Sequence, residues 1–159
     1  MTKNVDNAAR HAARLAAVQA IYQMELTALE AEAVIDEFVE HRFAESGSTT
    51  MPDADFFAEL VRGVPQKQKE IDRAIAKYLA ADWKFSRIDS ILRAILRAGS
   101  YELIARTDVP AKVVIDEYLD ITHAFFQGDE PGFVNAALDK LARDKRAAEF
   151  GERDGKRQS

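Results

Sequence analysis

Apolar side chains recur three and four residues apart along nearly the whole chain, the spacing that lines one face of an α-helix. Leu15, Val18, Tyr22 and Leu26 set the phase of a first helix running to about Leu26, with Asn7 as its candidate N-cap. A second helix over about 31–43 places Val34, Ile35, Phe38 and Val39 on one side, and the turn formers of 46–52 follow as a loop. A third begins near Asp53 and carries Phe57, Leu60, Val61, Val64, Ile71, Ile75, Tyr78 and Leu79. Its phase continues across Pro65, which predicts a kink there without termination. Ser86 and Asp89 have the spacing of a capping box and open a fourth helix, with Ile88, Leu92, Ile95, Leu96, Gly99 and Leu103 inward. Gly99 costs such a helix about 1 kcal/mol against Ala, so a neighbouring helix is expected to approach closely there. Pro110 starts a fifth helix that runs to Phe126 before Gly128 stops it, and Pro131 a sixth from about 132 to 146.

β-branched residues do not alternate with polar ones, and Gly and Pro are few, so the chain reads as all-α, a bundle of about six to seven helices. Its 159 residues suit a single domain, 1–147, in two halves (about 7–80 and 86–146) that share a core. A polar tail over 148–159 is expected to be disordered. The absence of cysteine removes disulfides, thiolate metal sites and cysteine nucleophiles from consideration. No uncharged run approaches the roughly 18 residues of a membrane span and no signal-peptide core is visible, so a cytoplasmic location is expected.

Motifs for catalysis are missing. There is no Gly-rich phosphate loop, no G-x-S-x-G elbow and no H-E-x-x-H helix, and neither a cofactor nor a metal is expected. His11, His41 and His123 are each isolated; His41 with Glu37 and His123 with Asp120 read as solvated pairs on polar faces. Asp53 and Asp55 lack the Gly and the later Glu of a calcium loop and suit the start of the third helix instead.

Charge changes the picture. Between Glu25 and Glu59 stand ten carboxylates and a single arginine, Arg42, a net of −9. The whole chain carries −5, so the remainder is basic by +4 and can meet a polyanion despite the acidic total. Arg10 and Arg14 lie one turn apart on the first helix, diverging by only ~40°, with His11 beside them, Lys3 before them, and Gln19 and Tyr22 further along. Cations that track a phosphate backbone, with an amide and an aromatic beyond them, suit single-stranded nucleic acid. The same residues also suit a plain surface, with arginines snorkelling beside an apolar stripe and Tyr22 in the core. A second candidate is the corner after Gly128, where Phe133 opens a helix either as a packing staple or as an exposed platform for a nucleotide. Asp129 there is either a cap or an acceptor for a base amino group.

Five segments together resemble the NusB family of bacterial transcription antitermination factors. They are Arg10–Tyr22, Phe57–Val64, Arg93–Leu103, Asp108–Glu117 and Gly132–Leu141, in order over residues 8–143. The resemblance implies two packed helical subdomains and a non-enzymatic role. Family members bind the boxA element of nascent RNA together with NusE, a small-subunit ribosomal protein, and join other Nus factors on RNA polymerase in ribosomal RNA operons. It assigns RNA-binding positions to Arg10, His11, Arg14, Tyr22, Asp129, Phe133 and Asn135, and adds Lys112. Family members often carry a denser arginine run than Arg10–Arg14 with its intervening His-Ala-Ala, which implies fewer phosphate contacts here. The acidic window is expected to lie off the RNA path, either for solubility or to meet a basic protein surface such as NusE. Two other readings remain: a helical protein–protein module with inert arginines, and an accessory domain of an RNA-modifying enzyme.

Overall fold

The computed structural model describes residues 2–45, 50–79 and 84–150, with no side-chain detail for residues 2–5 and 86. The described chain is all helical: α1 (Thr2–Thr27), α2 (Ala31–Glu37), a π-helical turn (Phe38–Arg42), α3 (Phe43–Glu45), α4 (Ala54–Gln66), α5 (Gln68–Tyr78), α6 (Ser90–Ala105), α7 (Ala111–Phe125) and α8 (Glu130–Lys145). α6 is the centre. It packs on α1, α4 and α5 on one side and on α7 and α8 on the other, so both halves of the chain bury their stripes against one helix.

Most of the expected inward positions are buried, including Val18, Phe57, Leu60, Val61, Ile71, Leu92, Ile95, Leu96 and Leu103. Several local expectations give way to other physics. Asn7 is not a cap: α1 already starts at Thr2, and an interior Asn costs a long helix well under 1 kcal/mol. Asp89, not Ser86, caps α6, its carboxylate accepting from the Ile91 and Leu92 N–H groups at 2.8 and 3.4 Å. Ser86 instead falls in a short 3₁₀ turn over Phe85–Arg87. The expected kink at Pro65 appears as a one-residue interruption at Lys67 between α4 and α5.

The second helix is divided by its π turn. Phe43 N–H donates to the Phe38 carbonyl, an i to i+5 bond, so Phe38 and Phe43 both face inward while Val39 is left 42% exposed, against expectation. Both rings close on Phe57, stacked at 5.4 Å and edge-on at 5.0 Å. The altered register also undoes the expected Glu37–His41 pair: Glu37 takes Arg42 at 4.0 Å and His41 faces Glu40 at 3.9 Å.

Gly99 answers to the close approach its sequence position implied. A Cβ there would stand 3.1 Å from Leu138 and 3.3 Å from Tyr118. Gly63 is tighter still, with the Tyr101 ring 2.2 Å from where its Cβ would be. Gly63→Ala is therefore expected to destabilise the protein by about 1–3 kcal/mol despite the better helix propensity of Ala, measurable as a lower urea midpoint.

At the far end the chain stays helical beyond 147: residues 147–150 are helical, Glu149 accepts the Ala111 N–H at the start of α7, and Arg143 sits over the Phe150 ring. The expected disordered tail therefore does not begin at 148, and residues 151–159 lie outside the described residues.

Candidate nucleic-acid interface

Arg14 does not stay in water. In α1 it falls in phase with Ala17, Val18 and Ile21, all buried, and it is only 3% exposed. Its Nε and Nη2 donate to the two oxygens of Glu102 at 2.7 and 3.0 Å, and Nη1 donates to Glu117 at 2.6 Å. Glu102 is fully buried in α6 and accepts a further hydrogen bond from the Tyr118 hydroxyl at 2.5 Å. The carboxylates outweigh burial and hold the Arg14 guanidinium protonated beyond its ordinary strength. The expectation of two solvated guanidinium groups thus fails at Arg14, which joins α1, α6 and α7 from inside.

Arg10 keeps the surface role. It is half-buried at its stem, 5.6 Å from the Phe56 ring centroid, on a ring that Arg14 and Arg106 also approach at 5.0 and 5.1 Å. Arg106 is taken up by Asp108 at 2.9 Å and Glu59 at 2.7 Å. That contact draws the Asp108 carboxyl down to about 2. The Phe56 N–H is held by Asp53, the N-cap of α4, and the Asp53 N–H donates to the Ala9 carbonyl, which docks the start of α4 against Arg10. His11 is not a free cation either: Nδ1 lies 3.3 Å from Glu117 and Nε2 3.3 Å from Asp120. Asp120 is thereby drawn away from the pairing with His123 that the sequence suggested.

α1 and α7 meet where His11 and Arg14 reach Glu117 and Asp120, and Tyr22 and Phe125 both line one groove. Gln19 and Tyr22 line a groove of about 710 Å³ with Leu15, Phe38, Ile91 and Phe125. Gln19 is exposed and Tyr22 half-buried, so the groove has a polar rim and an aromatic wall. Asp129 and Phe133 line a separate cleft on the far side of the α7–α8 corner, together with Tyr78 and Lys140. Asp129 makes no side-chain cap bond, which disposes of the capping reading, and Asn135 is exposed one turn along α8. Lys112 is exposed in the first turn of α7. Lys3 falls in the first turn of α1, and its side chain lies outside the described residues.

The candidate residues therefore fall at Arg10 and in two separate clefts, not in one patch. Arg10 and Gln19 are nine positions apart on α1, about 13 Å. The chain then reaches the second cleft through Phe125 and the corner. The acidic window is partly used up internally: Glu25 pairs with Arg93, Glu32 with Arg62 at 2.6 Å and Glu59 with Arg106. Glu30, Asp36, Glu40, Glu45 and Asp55 remain exposed.

Comparison with known proteins decides the family. The NusB family model matches residues 11–143. The chain belongs to the NusB family. Its members are transcription antitermination factors and not enzymes. The transcription antitermination protein NusB of Maricaulis maris is 53% identical over 144 residues, covering 89% of this chain and 90% of the relative. That of Caulobacter vibrioides is 51% identical over 140 residues, covering 86% and 94%. Among solved structures, T. maritima NusB superposes with a TM-score of 0.74 at 27% identity, covering 89% of this chain and 96% of that one. A crystal structure of the antitermination factors NusB and NusE in complex with double-stranded RNA gives a TM-score of 0.72 at 23% identity, covering 85% and 96%. The NusB-like helical fold expected from the resemblance is the fold observed.

The buried polar cluster carries its own pH signature. Burial and the Glu59 carboxylate push the Tyr101 phenol up to about 12, and burial with Glu102 raises that of Tyr118 well above 10. An unfolded tyrosine ionises near 10, so from there to about pH 12 the unfolded chain releases protons that the folded one keeps. Stability is expected to fall with rising pH through that window. Ultraviolet titration should show the phenolates of Tyr101 and Tyr118 appearing together with loss of helical circular dichroism, and near 10 for all four tyrosines in urea.

Proposed function

We propose that this chain is an RNA-binding transcription antitermination factor that, with NusE, holds the boxA element of nascent transcripts and supports transcription of ribosomal RNA operons. Membership of the NusB family carries this reading, and the surface is consistent with it. Arg10 neutralises a phosphate, and Lys112 and Lys3 are further candidate cations for the RNA. Gln19 and Tyr22 present an amide and a ring to an unstacked base in the first groove. Phe133, Asn135 and Asp129 act at the second cleft, the carboxylate as an acceptor for a base amino group. Arg14 is left out, because its guanidinium is committed to Glu102 and Glu117. His11 acts indirectly, engaging Glu117 and Asp120 through its two ring nitrogens beside the phosphate path. Few cations reach that path, so RNA alone binds weakly, and NusE supplies a second linked surface. The complex joins other Nus factors on RNA polymerase in the cytoplasm; among the described residues no helix is long and apolar enough to cross a membrane.

The test is a titration of a single-stranded boxA-type RNA with and without NusE, against a scrambled strand of the same length. Tighter binding of the boxA strand, enhanced by NusE, is the expected result. Equal retention of both strands under both conditions would leave a purely protein–protein module.

A further inference from the structure

Phe56, in the first turn of α4, is buried, yet three guanidinium groups converge on its ring. Arg10 and Arg14 approach the ring centroid from α1 at 5.6 and 5.0 Å, and Arg106 from the end of α6 at 5.1 Å. Three cations around one ring repel one another unless carboxylates compensate them, and two of the three are compensated. Arg14 is matched by Glu102 and Glu117. Arg106 donates to both oxygens of Asp108 at 2.9 Å and to Glu59 at 2.7 Å, while the Tyr101 hydroxyl holds the other Glu59 oxygen at 3.1 Å. Among the described residues Arg10 alone of the three has no carboxylate within ion-pair distance. Asp108 is nevertheless its neighbour, since Arg10 adds to the lowering of that carboxyl. The ring is held from the backbone side as well. Asp53 accepts the Phe56 N–H at 3.0 Å and donates its own N–H to the Ala9 carbonyl, one residue before Arg10, at 3.0 Å.

We propose that Phe56 and Arg106 are positioning residues for Arg10. The ring face orients the Arg10 guanidinium, and the Arg106 fork occupies Asp108, so the one uncompensated cation of the cluster stays open to an external anion. The inference rests on the RNA-binding reading above and adds to it two residues that need touch no RNA. An arginine already seated on a ring has less rotamer freedom to lose when it meets a phosphate, so its contact is stronger than that of a free side chain. An Asp108 released from Arg106 would compete with the phosphate for Arg10.

Affinity for a boxA-type strand, with NusE present, tests both parts. Phe56→Leu keeps an apolar side chain but removes the ring, and is expected to weaken binding about 2- to 30-fold, the range of one cation–ring contact. Its salt slope should stay that of wild type, because the Arg10 charge remains. In an Arg10→Ala background the same substitution should change nothing further. A merely structural Phe56 would cost affinity equally in both backgrounds, and that result would overturn the positioning while leaving the broader reading intact. The second arm does not depend on how Phe56→Leu folds. Arg106→Met should weaken binding, and adding Asp108→Asn should restore more affinity than Asp108→Asn adds to the wild-type chain. An equal gain in the two backgrounds would overturn the role of Arg106. A wild-type chain that binds no RNA, with or without NusE, would remove this inference and the reading beneath it together.

Discussion

Arg14→Met is expected to lower the stability of the folded chain by about 3–5 kcal/mol, the cost of leaving a buried carboxylate without its partner. Glu102 is fully buried, and after the substitution its remaining side-chain donor among the described residues would be the Tyr118 hydroxyl. Glu117 is partly exposed and can recruit water in place of Arg14, so the loss centres on Glu102. Glu102→Gln in the same background should cost much less than it does alone, because the two residues act as one unit. Urea denaturation of the two single variants and the double variant measures this directly. A loss below about 1 kcal/mol for Arg14→Met would match an exposed pair instead. The variant would also lose RNA binding, but by unfolding α1 from α6 and α7, and this separates Arg14 from Arg10.

The second large effect is expected at Arg146, which is 5% exposed just beyond α8. Its guanidinium donates to the carbonyls of Glu102, Leu103 and Arg106 at the end of α6 and to that of Val109, at 2.7–3.2 Å, adding to the backbone N–H groups of Arg106 and Val109 that the Glu102 and Arg106 carbonyls also accept. Nη1 also pairs with Glu149 at 2.6 Å, and Glu149 in turn holds the Ala111 N–H. One side chain thus closes the C-terminus of α6, the α6–α7 loop and the start of α7. Arg146→Ala should cost roughly 2–4 kcal/mol, since buried carbonyls lose charge-assisted partners at about 1–3 kcal/mol each and water recovers part of it. Arg146→Lys should recover little, because an ammonium cannot span four acceptors as a planar fork does. Denaturant midpoints of both variants, with hydrogen exchange at the last turn of α6, check the assignment.

Helix periodicity alone located every long helix, because each buries one continuous stripe against α6 or its neighbours. It could not place the π turn. Phe38 and Phe43 are five apart, and only the demand of Phe57 for two ring partners explains why both turn inward. Ser86 and Asp89 were both plausible caps, and the choice depends on where the chain leaves the 3₁₀ turn, which is a tertiary matter. Arg14 is the instructive case in the site. Its phase with Val18 and Ile21 marked it as inward, and Glu102 stood in the buried phase of α6 with Ile95 and Gly99. Arg14 alone also reads as a surface residue snorkelling beside the apolar stripe, and only pairing it with Glu102 across 88 positions would have exposed the bridge. The tyrosine in the second cleft was legible only as a core residue, since nothing local says that α5 ends against α8.

What remains for RNA on α1 is a single well-placed guanidinium, and the salt dependence of binding isolates it. The measurement is the affinity of a boxA-type strand, with NusE present, across a salt series for wild type and Arg10→Ala. The prediction is a slope shallower by about 0.7 and weaker binding at low salt, with the melting temperature unchanged. A variant whose slope and affinity equal those of wild type would contradict the placement of RNA on this helix.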